Sequence, residues 1–551
     1  MTNIQGPSYF RSNLIKKWDA PLPERPIFLA DLVLELLEPH DVPCLIGIDS
    51  GLTVTKAVVF DRDGTVLAVA RRRIPQVMPK PHHVERDMPL LWLAAASAIK
   101  EALERSGRKP GDVAAVAATA HGDGVFVLDG ACQPLGPGIL SLDSRAGDIV
   151  AQFESAGVAA QALALTGQKP LAPAPSALLA WIKQHELERF SRIGHVLSCK
   201  DWLRFCLCGI LGTDRTESST SFTNVKTQLY SDDALAIYGL SSLKAALPEV
   251  ASSAQIVGHV TPAAARLTGL VEGTPVAAGL HDVTASALGI GGHKPGVAAV
   301  VAGTFSINEV VSATPQVSEH WLCRNAIAPG FWNSMAISPA SSANYEWFLE
   351  NLCAAESRAA DASGHTIHEV LDAELQAALG KPSSLMFHPY LFGSPFGPDA
   401  SAGFLGLRAW HDRGSVLRSI FEGVIFNHRL HLEKLKAAFV FDEVFLTGGT
   451  SRNPAFAQMF ADVTAMPVRC SETPEAAAWG AALCAGAAVG LYESPDSDPR
   501  DLSAIAIRFT PDPARVAAMN RRYDVFVETT KTMAQLWPKL EQLAFDESQN
   551  R

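Results

Sequence analysis

The chain has 551 residues, room for two large lobes or three to four domains at roughly 150 residues each. Hydrophobic residues at 48% and charged residues at 19% mark a globular chain, which excludes collagen, coiled coil and disordered polymer. Lys and Arg number 46 against 57 Asp and Glu, a net charge of −11, and Arg71-Arg72-Arg73 is the one tight basic run, so a nucleic-acid binder is excluded too.

Residues 1–43 carry scattered Pro and charge and a short helical stretch at 29–37, and read as an N-terminal extension. They lack a charged start followed by an apolar core, so no signal peptide is expected. The pattern then predicts buried strands at 44–49 and 56–60, a turn at Asp61-Arg62-Asp63-Gly64, and a strand at 65–71. A helix at 89–105 and strands at 113–119 and 124–128 follow. The Pro-rich stretch 168–176 precedes helices at 177–185 and 200–208. A second strand-rich block opens near residue 296: strand 297–302, a Gly303-Thr304 turn, strand 307–312. It repeats the strand–turn–strand form of 44–60 and predicts two related halves with a boundary near 290. A long helix at 415–431, a strand at 442–446 and an Ala- and Gly-rich, closely packed helix within 474–490 complete the pattern, which is α/β.

No apolar run approaches ~18 residues, so no membrane span is expected. Nine cysteines without a CxxC pair read as buried thiols in a reducing cytosol. The expected location is cytoplasmic, with no nucleic-acid or membrane partner.

Five segments can carry chemistry. In Ile46-Gly47-Ile48-Asp49-Ser50-Gly51-Leu52-Thr53, a strand ends in an acid and enters a Gly turn. Backbone N–H groups in such a turn can face phosphate oxygens, and Asp49 can hold Mg²⁺; a plain hairpin reads equally well. The spacing is not that of a Walker A loop. Ala302-Gly303-Thr304-Phe305 is the same device in the second half, with the same plain-turn alternative. Thr447-Gly448-Gly449-Thr450-Ser451-Arg452-Asn453 runs from a strand into a helix start, where bare backbone suits a flat ligand such as adenine and Asn453 suits its edge; a strand-to-helix turn needing positive φ is the plain alternative. In Gly279-Leu280-His281-Asp282, the carboxylate starts a small-residue helix and reads either as an N-cap or as a general base aimed into a cleft. His121-Gly122-Asp123-Gly124, with Asp143 downstream, suits recognition of hydroxyls, and reads otherwise as a solvated loop and a helix cap. Glu85 in Val84-Glu85-Arg86-Asp87 reads as part of a solvated loop, with an extra sugar contact as the alternative.

The order and spacing of these segments resemble the FGGY carbohydrate kinase family, within the actin- and hexokinase-like ATPase superfamily. Asp49, Gly51, Thr53 and Lys56 match its first phosphate motif, Asp282 its catalytic Asp, Gly303-Thr304 its second phosphate turn, and Gly448, Gly449 and Asn453 its adenosine segment. Gly403 through Gly423 looks like the family's second signature. The likeness spans about residues 44–495. It departs at Leu52, where many members have Thr, and at Ser415, where a polar amide or acid is usual. His121-Gly122-Asp123-Gly124 and 139–146 look closest to the L-xylulose and erythritol kinases; glycerol kinases would have an Arg-Glu pair at His121-Gly122.

The resemblance implies two actin-like, ribonuclease H-like lobes around a central cleft. It divides the chain into an extension (1–43), a sugar-binding lobe (44–290), a nucleotide-binding lobe (291–500) and a helical tail (501–551). It implies transfer of phosphate from ATP, with Mg²⁺, to a hydroxyl of a ketopentose or erythritol-like polyol. Asp282 would be the base and Asp49 the metal carboxylate. His121, Asp123, Asp143 and His281 would meet the sugar; Gly51, Thr53, Gly303, Thr304, Gly448, Gly449 and Asn453 would meet the nucleotide. A homodimer is implied at family level. The alternative reading is a sugar-sensing or structural protein of the same ATPase fold without kinase activity.

Overall fold

A computed structural model describes residues 43–397 and 399–549. The expected extension, with its helix at 29–37, lies outside the described residues except for Pro43.

Two mixed sheets carry the fold. At the centre of the first, Cys44–Ser50 (β1) is an apolar run with both faces covered, as a central strand flanked by helices requires. It turns back through Gly51 into Val54–Asp61 (β2), antiparallel, with Asp49 opposite Lys56, and Val66–Arg73 (β3) follows at the edge. Val113–Ala120 (β4) lies parallel to β1 on its other side. Ile256–His259 (β5) and Pro275–Ala277 (β6) complete the order β5-β6-β4-β1-β2-β3.

The second sheet is built from Gly296–Ala302 (β7), Ser306–Ser312 (β8), Leu322–Asn325 (β9), Trp332–Ser338 (β10), Phe441–Thr447 (β11), Val468–Ser471 (β12) and Ala506–Phe509 (β13). Its order is β9-β10-β8-β7-β11-β12-β13. Strand directions along β10-β8-β7-β11-β12-β13 repeat those along β3-β2-β1-β4-β6-β5 step for step, with β9 added at one edge. The weak sequence repeat is therefore a repeat of topology.

Among the helices, Met88–Ser106 (α1) covers β2 and β3. Asp282–Gly289 (α2) and Ala476–Ala488 (α5) cross between the sheets: α5 packs on β1 and β4, and α2 reaches β7. The Ala and Gly content of 474–490 follows from that crossing, because Gly47, Gly289 and Gly480 each lie where a Cβ would overlap a carbonyl oxygen of the facing helix. Arg413–Lys436 (α3) and Pro454–Thr464 (α4) pack around the second sheet. Two expectations change. The segment from 501 is no separate tail: β13 joins the second sheet, and Tyr523 and Phe526 of Pro513–Met533 are buried in its core. The strand expected at 124–128 is confined to Phe126–Leu128. No single helix among the described residues is long and apolar enough to cross a membrane.

Candidate active site

The turns after β1, β7 and β11 leave the carboxyl ends of the central strands, where ligands of open α/β sheets bind. A cavity of about 650 Å³ lies there, lined by Asp49, Lys56, Gly448, Gly449, Glu475 and Phe509 among others. That volume suits a nucleotide. The turn glycines test the fit. A Cβ on Gly449 would meet nothing within 4 Å, and on Gly51 and Gly303 nothing nearer than 3.5 and 3.6 Å. The chain itself does not require glycine at these three positions; Gly449 lines the cavity, whereas Gly51 and Gly303, like Thr53 and Thr304, stand on turns outside its lining. Gly448 differs. Its φ of +114° and the Ala302 carbonyl beside it admit no side chain.

Asp49, one residue before the end of β1, holds its carboxylate 3.6 Å from Lys56 Nζ. Lys56 also pairs with Glu475 at 3.0 Å, and Arg71 joins Glu475 from β3. Burial raises the Asp49 pKa, Lys56 opposes it and Glu475 adds to it. A carboxylate at this place, opposed by Lys56, fits as one of the few carboxylates that would hold a divalent cation beside phosphates. Thr53 and Thr304 stand exposed on their turns. Behind the first turn, Arg86 is fully buried and donates to the carbonyls of Gly51 (3.2 Å) and Leu52.

The second part of the site is set by the turn before α2. Its backbone is pinned from three sides. Thr119 Oγ1 donates to Leu280 O (2.7 Å), Lys200 Nζ to Ala278 O (3.2 Å), and His281 N to Thr216 Oγ1 (2.9 Å). His281, and not Asp282, is the N-cap of α2. Asp282 occupies the first helical position and accepts from Val283 N (2.7 Å), so the simple cap reading fails and its carboxylate keeps an oxygen for other partners. Burial, with the Asp49 charge next, raises its pKa to about 7, against hydrogen bonds from Val283 and Gly122; 30% of its side-chain surface stays open.

His121 follows β4, its N–H on Ser50 O at 2.9 Å. Burial and then Arg86 lower its pKa to about 3; burial and then Arg324 hold His281 well below the ordinary histidine value. Both rings are therefore neutral, and His121 Nε2 and His281 Nδ1 are buried without a hydrogen-bond partner. Gly122 is glycine because a Cβ would overlap the His281 ring. Asp123 accepts from Arg324 Nη2 at 2.9 Å.

Sequence reasoning misplaced three residues. Asp143 is buried and gives both oxygens to Arg145 and to the N–H groups of Val84 and Arg145, so neither oxygen is free for a sugar. Asn453 caps α4, its Oδ1 accepting from Ala455 and Phe456 N–H, and it does not line the cavity. Glu85 pairs with Arg145 (2.7 Å) inside a short β-ladder and is no part of a solvated loop. Arg86 and Arg324 were missed, since an isolated Arg in either half carries no motif. The clue for Arg86 was its place one residue after Glu85.

Two duplicated sheets, a nucleotide-sized cavity at their strand ends and the part-open Asp282 carboxylate beside the buried His121 and His281 rings define a two-lobed, actin-like fold. Comparison with known proteins narrows the class. The description "FGGY family of carbohydrate kinases" matches residues 44–289 as its N-terminal domain and 298–489 as its C-terminal domain. A probable L-xylulose kinase of Pasteurella multocida is 33% identical over 494 residues, covering 89% of this chain and 98% of that protein. An erythritol kinase of Brucella abortus is 28% identical over 517 residues, covering 90% and 97%. The xylulose kinase structure from Rhodospirillum rubrum superposes with a TM-score of 0.77 at 28% identity, covering 90% and 99%. The chain belongs to the FGGY family of carbohydrate kinases. It is a sugar kinase, with ATP as phosphate donor and a small sugar or polyol as acceptor.

Proposed function

We propose that the acceptor is a ketopentose such as xylulose, or an erythritol-like polyol, and that Asp282 is the general base. The observation that carries this reading is the Asp282 carboxylate at the head of α2, within the field of Asp49 on the phosphate side, beside two buried imidazoles that each keep a nitrogen without a partner. A pKa near 7 leaves a group ionised at working pH yet basic enough to take a hydroxyl proton. The attacking oxygen loses its proton to Asp282 and bonds the γ-phosphorus, and ADP leaves. Such transfer has a loose transition state, so positioning and charge neutralisation dominate.

Gly51, Thr53, Gly303 and Thr304 offer backbone N–H and hydroxyl groups to phosphate oxygens. Gly448 and Gly449 form the bare surface for adenosine. Asp49 would hold Mg²⁺, which supplies positive charge to the phosphates when bound. His121, Asp123 and His281 meet sugar hydroxyls. The likeness to a probable L-xylulose kinase and to an erythritol kinase supports this choice of acceptor. The test is ADP release with Mg·ATP over both enantiomers of xylulose and ribulose, with erythritol, xylitol, arabitol, ribitol and glycerol. Saturable turnover on a ketopentose or on erythritol supports the reading. Saturable turnover on glycerol alone overturns it.

A further inference from the structure

Arg324 belongs to β9 of the second sheet, yet each partner of its guanidinium precedes residue 290. Nε donates to Gln168 Oε1 at 3.0 Å, Nη2 donates to Asp123 Oδ1 at 2.9 Å, and Nη1 lies 3.3 Å from His281 Nε2. The side chain is 3% exposed. It is held in register by its neighbours: Cys323 N donates to Gly167 O (3.0 Å), Asn325 N donates to Ser219 Oγ (3.0 Å), and Gln168 Nε2 donates to Ser219 O (2.7 Å).

A guanidinium is always protonated and only donates. At the Nη1 contact, His281 Nε2 is therefore the acceptor. The ring is neutral, so a proton absent from Nε2 sits on Nδ1. Nδ1 is 3.4 Å from Asp282 Oδ1 and has no hydrogen-bond partner. The other tautomer would set an N–H against the guanidinium and a lone pair against the carboxylate, two repulsive contacts in place of two favourable ones. Lys200 and His121, the other charged or titratable groups beside the ring, also favour its neutral form.

We propose that Arg324 is a positioning residue: it fixes the Nδ1–H tautomer of His281, so that the ring presents a donor to Asp282 and to the hydroxyl bound there. The same guanidinium orients Asp123 in the sugar pocket. The tautomer is thus set by a residue from the opposite half of the chain and holds only while the two halves are in contact. This inference rests on Asp282 as the general base for its catalytic consequence. The tautomer itself is independent of that reading.

The test is ¹⁵N-histidine NMR of the full-length protein without substrate, with His281 signals assigned by their loss in His281→Asn, together with steady-state kinetics. Wild type is expected to show Nδ1–H on His281 at neutral pH. Arg324→Met is expected to shift His281 toward Nε2–H and to lower kcat for sugar roughly 10–100-fold, the usual effect of losing a partner that orients a ring. The KM for ATP is expected to stay unchanged. Arg324→Lys, which keeps the charge and a donor, is expected to restore part of the tautomer and of kcat. An Nε2–H tautomer in the wild type overturns the proposal, and that measurement stands even if Arg324→Met does not fold. So does Arg324→Met with unchanged tautomer and kcat. Loss of the base reading alone would show differently, as wild-type turnover in Asp282→Asn with the His281 tautomer intact.

Discussion

Gly289 and Gly480 are reciprocal: a Cβ on Gly289 of α2 would overlap the Ala476 carbonyl oxygen, and a Cβ on Gly480 of α5 would overlap that of Ala285. The two helices that cross between the sheets thus touch backbone to backbone at both ends of one contact. Since α2 begins with Asp282, the crossing also fixes the base. Gly480→Ala forces the helices apart against backbone, which does not yield as a side-chain tip would. We expect a loss of about 1–3 kcal/mol of stability, as for other overpacked cores. Turnover should fall further than sugar KM rises. Denaturant melts and steady-state kinetics of the variant check both, and an unaltered melt would mean the crossing has slack.

Asp282→Asn tests the base directly. Removing a positioned base costs roughly 10²–10⁴ in rate, while calorimetric ATP binding should persist. The sign of the wild-type pH dependence follows from the raised pKa: the base acts when ionised, so kcat/KM for sugar should climb with pH up to about 7 and level off above it. A profile flat from pH 5.5 to 8.5 would remove Asp282 from the role.

Much of this was legible in the sequence because local rules and the fold agree. β1 and β7 are largely apolar runs and β11 becomes apolar from Val444, and all three run into Gly turns at the carboxyl end of their sheet. The Ala and Gly content of 474–490 announced a close crossing, though not its partner. Asp143 and Asn453 misled because a carboxylate or amide at a loop–helix junction has two uses, and spacing does not say which. Local hydrogen bonds satisfy both residues here. Arg324 was illegible for a different reason: its partners Asp123, Gln168 and His281 are all distant in sequence, so only the folded chain brings them together.

The turn glycines predict opposite phenotypes from the same substitution. Gly449→Ala puts a methyl into open space and Gly51→Ala puts one at ordinary contact distance, 3.5 Å from the Val54 carbonyl oxygen, so both proteins should melt as wild type does. At Gly449 that methyl enters the cavity, and at Gly51 it stands on the proposed phosphate turn, so KM for ATP should rise about tenfold or more, with sugar KM little changed. Gly448→Ala meets the Ala302 carbonyl at a φ of +114°, and should lose stability before any kinetic effect is read. Parallel melts and ATP titrations of the three variants separate the cases. A wild-type ATP KM for Gly449→Ala would move adenosine off that turn.

Glu309 makes a pH prediction for stability. It lies on β8, 1% exposed, with Oε2 accepting from Asn333 and Oε1 without a partner. Burial raises its pKa to about 8, the Asn333 hydrogen bond opposes this, and the Asp282 charge adds to it. In the unfolded chain the group returns to its ordinary value near 4.5. Between those values the folded protein keeps a proton that the unfolded chain has released. Its contribution to stability is therefore full below about 4.5 and is lost as pH rises through about 8. The loss is on the order of a few kcal/mol. Glu309→Gln keeps the shape and the Asn333 contact and removes the titration, so its melting temperature should fall less than that of wild type between pH 5 and 9. Parallel slopes for the two proteins would show that Glu309 is ionised in the fold, with a counter-charge that these contacts do not supply.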